Sequence, residues 1–563
     1  MTWVDAVALA SVHVNGPTPP PPPSARAVLF GLPSAGRRWP GGVRAALAFA
    51  IPASIAWVLG FETAALLTVS GSFAVIYGEG RPYRSRWRIV SIAGVALVAS
   101  VLAGATAGSG SSYVVPVLVL AVVAAIAVYI VAALRLGAPG AFFFVLVCAV
   151  SSYLPSAHIS PTTAAAWAAA GAVSAALVSM APVLWAPRAP EEDAVSAAKS
   201  TVEMYLSDAG ARRAAGSRLH AAWAAVYDAG LPTRNPRPAL VQALFSAHLS
   251  FAAATHARSS HAVDLDPDPD ADVDAPSDVL PLARPSVAYR LRRSLHPQSH
   301  AVATATRVFV GALASGGMAV ALGLPRPDWA VLGAVLVLQQ GPDRVHGSYR
   351  GVQRLGGTVL GVALFALVQE LSVTGVTIIV VLMALQFLIE ISVARNYGLA
   401  VVFITPLALL MGSLSHPDAS TADVVTDRVI ETVLGVLVAF GVLWCVQPHA
   451  FRRALGWSDR RVLDLSSELL QHVSTAHPAS ARGLELRRDV QFELVNSALA
   501  GADAAHNDRR WTVSQWTRHA GVDRLGYELL AQCWSVADGR DFGETTPWTA
   551  RIEQLSTAYK QRT

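Results

Sequence analysis

The chain has 563 residues, of which 53% are hydrophobic and only 14% charged, and its mean hydropathy is +0.44. Globular domains carry roughly a quarter charged residues, so this composition excludes a chain that water solvates along its whole length. The formal net charge of +5 is the excess that loops on one side of a membrane produce, and it calls for no nucleic-acid partner.

The first residues are weakly apolar, but Asp5 interrupts them and no basic segment precedes them, which argues against a cleaved signal peptide. The run Pro17 to Pro23 reads as an extended, disordered stretch, and residues 1–42 as a cytoplasmic tail. Apolar runs of about 17–25 residues read as membrane-spanning helices. Six fall near 43–60, 63–78, 89–108, 114–134, 139–154 and 163–186, within a first half covering 43–187. Six more fall near 307–324, 329–341, 355–371, 373–394, 397–414 and 429–447, within a second half covering 301–447. The expected fold is therefore all-α: a polytopic membrane protein with two tandem six-helix halves and helical cytoplasmic domains at 188–300 and 448–563.

Orientation follows from the loops. Arg37, Arg38 and Arg44, then Arg81, Arg84, Arg86 and Arg88, then Arg135 and Arg188 alternate with loops nearly free of basic residues. The second half repeats the alternation through Arg290, Arg292 and Arg293, then Arg344, Arg350 and Arg354, then Arg395, then Arg452 and Arg453, with Arg326 as the exception. The positive-inside rule places both termini and both polar segments in the cytoplasm of a multi-pass plasma-membrane protein. The halves also match each other. Arg44 and Arg307 open first spans, Arg81 and Arg344 follow second spans at the same separation, and His158 and His416 follow fifth spans. Such spacing predicts a parallel repeat about an axis along the membrane normal.

The polar segments are simpler. In "RRVLDLSSELLQHV" the residues Val462, Leu463, Leu465, Leu469, Leu470 and Val473 form one helical stripe, which reads as a bundle core. The stretch 264–278, "DLDPDPDADVDAPSD", lacks the glycine and glutamate of a calcium loop, so it reads as an acidic linker. Cys148, Cys445 and Cys533 have no metal or redox spacing. No nucleotide-binding, metalloprotease or other enzyme signature is present, so neither a cofactor nor a metal is expected.

Chemistry inside a bilayer falls to groups that are costly to place there. Arg354 starts one span, Glu390 and Arg395 end another, and Arg428 and Glu431 open the last. Arg428 and Glu431 stand three apart on one helical face, which allows mutual neutralisation, while snorkelling to the interface is the alternative for all of these groups. Arg44 and Arg307 join the list as span openers. The matched His158 and His416 are solvated loop residues or proton sensors. The second and eighth spans are the shortest, and "LPRPDW" (324–329) precedes the eighth; interrupted segments at matching places point to a transport site.

The stretch "QRLGGTVLGVAL" (353–364), with Arg354, Gly357, Thr358 and Gly361 after a basic loop, resembles the signature of the FUSC family. That family comprises fusaric-acid-resistance and aromatic-acid-exporter membrane proteins, with plant aluminium-activated malate channels as relatives. The first half departs from the pattern, with "IVSIAGVAL" after Arg88. The resemblance implies export of a small organic anion, aromatic or carboxylic, and the candidates for its path are Arg354, Gly357 and Thr358 of the motif with the charged residues Arg428, Glu431, Arg307 and Arg44. Without a nucleotide motif, the driving force is the proton or voltage gradient. A passive anion channel and a membrane-anchored scaffold that carries nothing remain as alternatives, and assembly into a homo-oligomer stays open.

Overall fold

A computed structural model describes residues 18–32, 38–137, 139–234, 236–260, 279–341, 343–371, 373, 375–412, 420–536 and 540–560. Among these the chain is helical, with no strand. In chain order the helices are α1 (Ala25–Phe30), α2 (Trp39–Val58), α3 (Glu62–Leu67), α4 (Val69–Ser72), α5 (Tyr83–Ala107), α6 (Val114–Leu134), α7 (Phe142–Ser151) and α8 (Pro161–Met180). There follow α9 (Ala189–Ser207), α10 (Arg212–Asp228), α11 (Ala239–Ser260), α12 (Val287–Ser294), α13 (His300–Ala321), α14 (Pro327–Leu338) and α15 (Arg344–Glu370). The last are α16 (Val376–Val393), α17 (Tyr397–Gly412), α18 (Thr421–Cys445), α19 (Ala450–Val473), α20 (Ala481–Asn507), α21 (Arg509–Ser535) and α22 (Thr546–Lys560).

The chain divides into two compact units. One, the membrane unit, comprises Pro23–Glu191 with Val287–Ala450; the other, a polar unit, is built from Glu192–Ser286 and Phe451–Thr563. The acidic linker at 264–278 lies outside the described residues.

Within the membrane unit, 8 helices are long and apolar enough to cross a bilayer: α2, α5, α6, α8, α13, α15, α16 and α18. This makes the chain a polytopic membrane protein. Polar side chains start several of them. Ser160 accepts from the Thr163 N–H (3.1 Å), Ser299 from Val302 (3.1 Å), Asp343 from His346 (2.9 Å) and Ser420 from Asp423 (3.1 Å). Each satisfies a backbone donor that the first helical turn leaves free.

The other four apolar segments do not have the length expected of them. Stretch 62–78 breaks into α3, α4 and a 3-10 turn at Phe73–Gly78; α7 has 10 residues, α14 has 12 and α17 has 16. At 1.5 Å per residue α14 reaches about 18 Å, short of a hydrocarbon core of about 30 Å. Every residue of α7 and α14 is nonetheless buried. Helices apolar on all sides belong inside a protein, and these are sheathed by the long ones: α14 packs on α13 and α18, α17 on α15 and α16, α7 on α5 and α6. The first long helix of each half also meets the third long helix of the other, α2 against α16 and α13 against α6.

Two further expectations change. The basic segment before Gly356 is no loop, because α15 begins at Arg344 and carries Arg350 and Arg354 on its own surface. The N-terminal stretch contains α1, although it was read as a disordered tail. In the polar unit the predicted stripe is buried as expected, from Val462 (0% exposed) to Val473 (4%). Buried Asp459 also ties helices together there, meeting His519 Nδ1 at 3.0 Å and accepting a hydrogen bond from the Tyr559 hydroxyl.

Reporters fused after Pro190 and after Arg453 are expected to report one side of the membrane, the cytoplasmic one. Signals from opposite sides would break the even number of crossings between them. A second outcome concerns helix packing. A Cβ on Gly435 would stand 2.2 Å from the Ala330 carbonyl oxygen. Gly435→Ala should therefore part α18 from α14 and cost about 1–3 kcal/mol, read as a lower melting temperature of the purified protein.

Candidate functional site

The short helix α14 begins with the sequence Arg326–Pro327–Asp328–Trp329, and it gathers charge at a buried place. Arg326 donates from Nε and Nη2 to the two oxygens of Asp328, at 3.1 and 3.0 Å. Its backbone N–H donates to Glu431 Oε1 of α18 at 2.8 Å. Its guanidinium also lies 3.8 Å from the centre of the Tyr153 ring, just beyond α7. One turn before Glu431, the Arg428 guanidinium sits 3.7 Å over the Trp329 ring. Fork contacts use the N–H edge of the planar cation and ring contacts its face. Glu431 does not pair with Arg428: its Oε2 has no hydrogen-bond partner, and neither do Nε and Nη1 of Arg428.

Arg354 of α15 is the most exceptional residue of the unit. Its side chain is 0% exposed, and Nε, Nη1 and Nη2 all lack a hydrogen-bond partner. Tyr397, at the start of α17, lies close enough for its hydroxyl to interact with the Arg354 guanidinium, although the pair does not meet strict hydrogen-bond geometry. Arg350 stacks on the Tyr397 ring, 4.4 Å from its centre. Arg354 and Arg428 stand close enough to repel each other across the buried space. The hydroxyls of Thr358 on α15, Thr405 on α17 and Thr432 on α18 are likewise buried without partners. Three helices, α15, α17 and α18, thus each carry a buried hydroxyl without a hydrogen-bond partner.

Close packing makes the region. A Cβ on Gly357 would lie 2.6 Å from the Gly398 carbonyl oxygen, and one on Gly361 would lie 2.6 Å from Thr405 Cβ. Only glycine lets α15 approach α17 so nearly. Helix α1 lies across the starts of the same two helices. Gln353 donates to the Val28 carbonyl at 2.8 Å, and Asn396 donates to those of Leu29 (3.0 Å) and Gly31 (3.1 Å).

Comparison with known proteins finds a family match over part of the chain. Residues 312–442 match the family of fusaric acid resistance protein-like proteins. The matched segment holds Arg354, Gly357, Thr358, Arg428 and Glu431, together with Asp328 and Tyr397. The chain is also 24% identical over 545 residues to the uncharacterized membrane protein YvaC of Bacillus subtilis, covering 88% of this chain and 85% of that protein. No solved structure matches. The family resemblance seen at Arg354, Gly357, Thr358 and Gly361 thus falls inside the matched segment.

The remaining sequence candidates fall elsewhere. Arg307 precedes the fusaric acid resistance protein-like segment and works on backbone: Nε donates to the Val446 carbonyl (3.0 Å) and Nη2 to that of Gln447 (2.9 Å), just past the end of α18. Gln447 sits there at φ 52. Arg44 forms an ion pair with Glu79. Glu390 of α16, 2% exposed, joins them, since a Cβ on Gly41 would stand 3.2 Å from Glu390 Oε1 and 3.6 Å from Glu79 Cδ. This is a second charged cluster, on α2, α16 and the 3-10 turn. His158 is exposed at φ 58 in a turn and touches neither cluster, and His416 lies outside the described residues. Sequence reasoning did not single out Asp328, Trp329, Tyr397 or Glu79. The "LPRPDW" interruption was the available signal for the first two.

Because Arg307 satisfies helix-end carbonyls, Arg307→Ala should cost about 1–3 kcal/mol of stability and lower the melting temperature. Transport per folded molecule should stay near the wild-type value. A loss of transport at unchanged stability would return Arg307 to the substrate path.

Proposed function

We propose that the protein is a transporter that exports small organic anions, aromatic or other carboxylates, along a path beside Arg354 and Arg428. One observation carries this reading. A guanidinium wholly withdrawn from water, inside a membrane unit, has no acceptor for any of its nitrogens. Leaving a buried cation unpaired costs several kcal/mol, and a carboxylate arriving at the Arg354 fork supplies the missing charge and two acceptors. Arg428 and the three threonine hydroxyls add donors for the same anion, and Trp329 and Tyr397 offer flat apolar faces to an aromatic body. The family match supports transport as the activity. Glu390, a buried carboxylate beside Glu79 and Arg44, supports coupling to protons, because carboxylates inside a membrane unit mark proton relays.

Flux of labelled benzoate through purified protein in liposomes tests the reading, with and without a pH gradient across the membrane. Gradient-dependent flux is expected. Flux indifferent to the gradient would favour a passive channel, and absence of flux for benzoate and other carboxylates would leave a scaffold. Arg354→Ala should abolish flux while the protein remains folded and inserted. Arg354→Lys should retain about a tenth or less, because a point charge cannot reproduce the fork. Arg344→Ala should change flux little, since Arg344 stacks on Trp444, 4.6 Å from the ring centre, and not on Tyr397. Equal, mild effects at both arginines would sink the proposal.

A further inference from the structure

The polar unit contains a cavity that the transport reading does not use. Its empty volume is about 660 Å³, partly open to solvent, and α10, α11, α20, α21 and the stretch 281–283 line it. Small-molecule sites combine apolar walls with a few fixed polar groups. This cavity has both. Trp223, Phe251, Tyr527 and Trp534 form aromatic walls.

The polar group is Arg487, which is 5% exposed. Its guanidinium lies 3.6 Å from the centre of the Trp534 ring, and Nη1 donates to the Pro478 carbonyl at 3.3 Å. Nε and Nη2 have no partner. Stacking on a ring satisfies the face of a guanidinium but not the N–H bonds in its plane. The adjacent Arg488 differs, being paired with Asp489 at 2.8 Å. No Asp or Glu is among the described residues lining the cavity.

A second donor faces the same walls. His248 Nδ1 accepts from the Trp223 indole N–H at 3.3 Å, and its ring meets Trp534 edge-on at 4.7 Å. An imidazole that accepts at Nδ1 carries its proton on Nε2. Burial, with Arg487 nearby, pushes the His248 pKa down to about 3, so the ring is neutral at physiological pH. The cavity therefore offers one cation, one neutral donor, flat apolar walls and no competing carboxylate.

We propose that this cavity is a binding site for a small aromatic carboxylate, with the carboxylate on Nε and Nη2 of Arg487 and the ring against the aromatic walls. The site is separate from the Arg354 region and stands whether or not the chain transports such anions. A polyphosphate or sugar ligand fits poorly, because the walls give its polar groups nothing to bond.

Calorimetric titration of the detergent-solubilised full-length protein with benzoate and with neutral benzamide tests this, using an Arg354→Gln background so that only the polar unit is read. Benzoate should bind, benzamide at least tenfold more weakly, and benzoate should change the tryptophan fluorescence less in Trp223→Phe. Arg487→Gln should weaken benzoate at least tenfold. If that variant fails to fold, Arg487→Lys, which keeps charge but loses the fork, should weaken it severalfold. Absence of benzoate binding in the Arg354→Gln protein, equal affinity for benzamide, or wild-type affinity in a folded Arg487 variant would each overturn the proposal.

Discussion

Withdrawing a charge from water without giving it a partner is the most expensive arrangement a protein interior contains, and the membrane unit is organised around one such charge at Arg354. Elsewhere in the unit the same cost is met inside the chain. Arg326 has Asp328, Arg44 has Glu79, and Arg307 has two helix-end carbonyls. Arg354 has an aromatic neighbour, unpartnered hydroxyls around it and a second arginine across the space. Electrostatics inside a low-dielectric site are strong in both directions. The arrangement that is costly when empty is the one that binds an anion well.

Holding this charge in place falls to helices too short to cross a bilayer. Because α7 and α14 are enclosed by the long helices, residues at their ends meet inside the protein, as Tyr153 just past α7 meets Arg326 just before α14. Asp328 and Trp329 come from the first turn of α14, Tyr397 from the first turn of α17, and Tyr153 from just past α7. A full-length span would have carried those same positions out to the membrane surface. Glycines set the spacing: Gly357 and Gly361 bring α15 onto α17, and Gly435 brings α18 onto α14. Irregular or shortened helices at membrane depth are tolerated where protein covers them, and that cover is what these close approaches provide.

The polar unit solves a similar problem with different material. Its core is an ordinary amphipathic bundle, yet within it Arg487 keeps two nitrogens free beside Trp534 while Asp459 collects several donors. The contrast separates a polar group that is satisfied by its own fold from one that is left available. Buried polar groups are nearly always paired in folded proteins, so the few that are not carry information about what they meet.

Much of the architecture was legible from the chain alone. A composition this apolar, with arginines alternating from loop to loop, determines a polytopic helical membrane protein, because hydrocarbon admits only backbone that bonds to itself. The Val462–Val473 stripe reads directly as a bundle core, since a 3.6-residue period leaves one face to bury. Arg354 was also visible, standing where a charged run meets glycines. Helix length was not, because an apolar run records hydrophobicity but not whether lipid or protein surrounds it; hence 327–338 and 142–151 read as spans. Nor could local spacing separate the arginines. Arg307 and Arg354 look alike as span openers, and only the tertiary structure puts one on backbone carbonyls and leaves the other without an acceptor. Partners brought from distant segments, such as Glu79 beside Glu390 or Asp328 beside Glu431, are decided by packing, since no local period connects them.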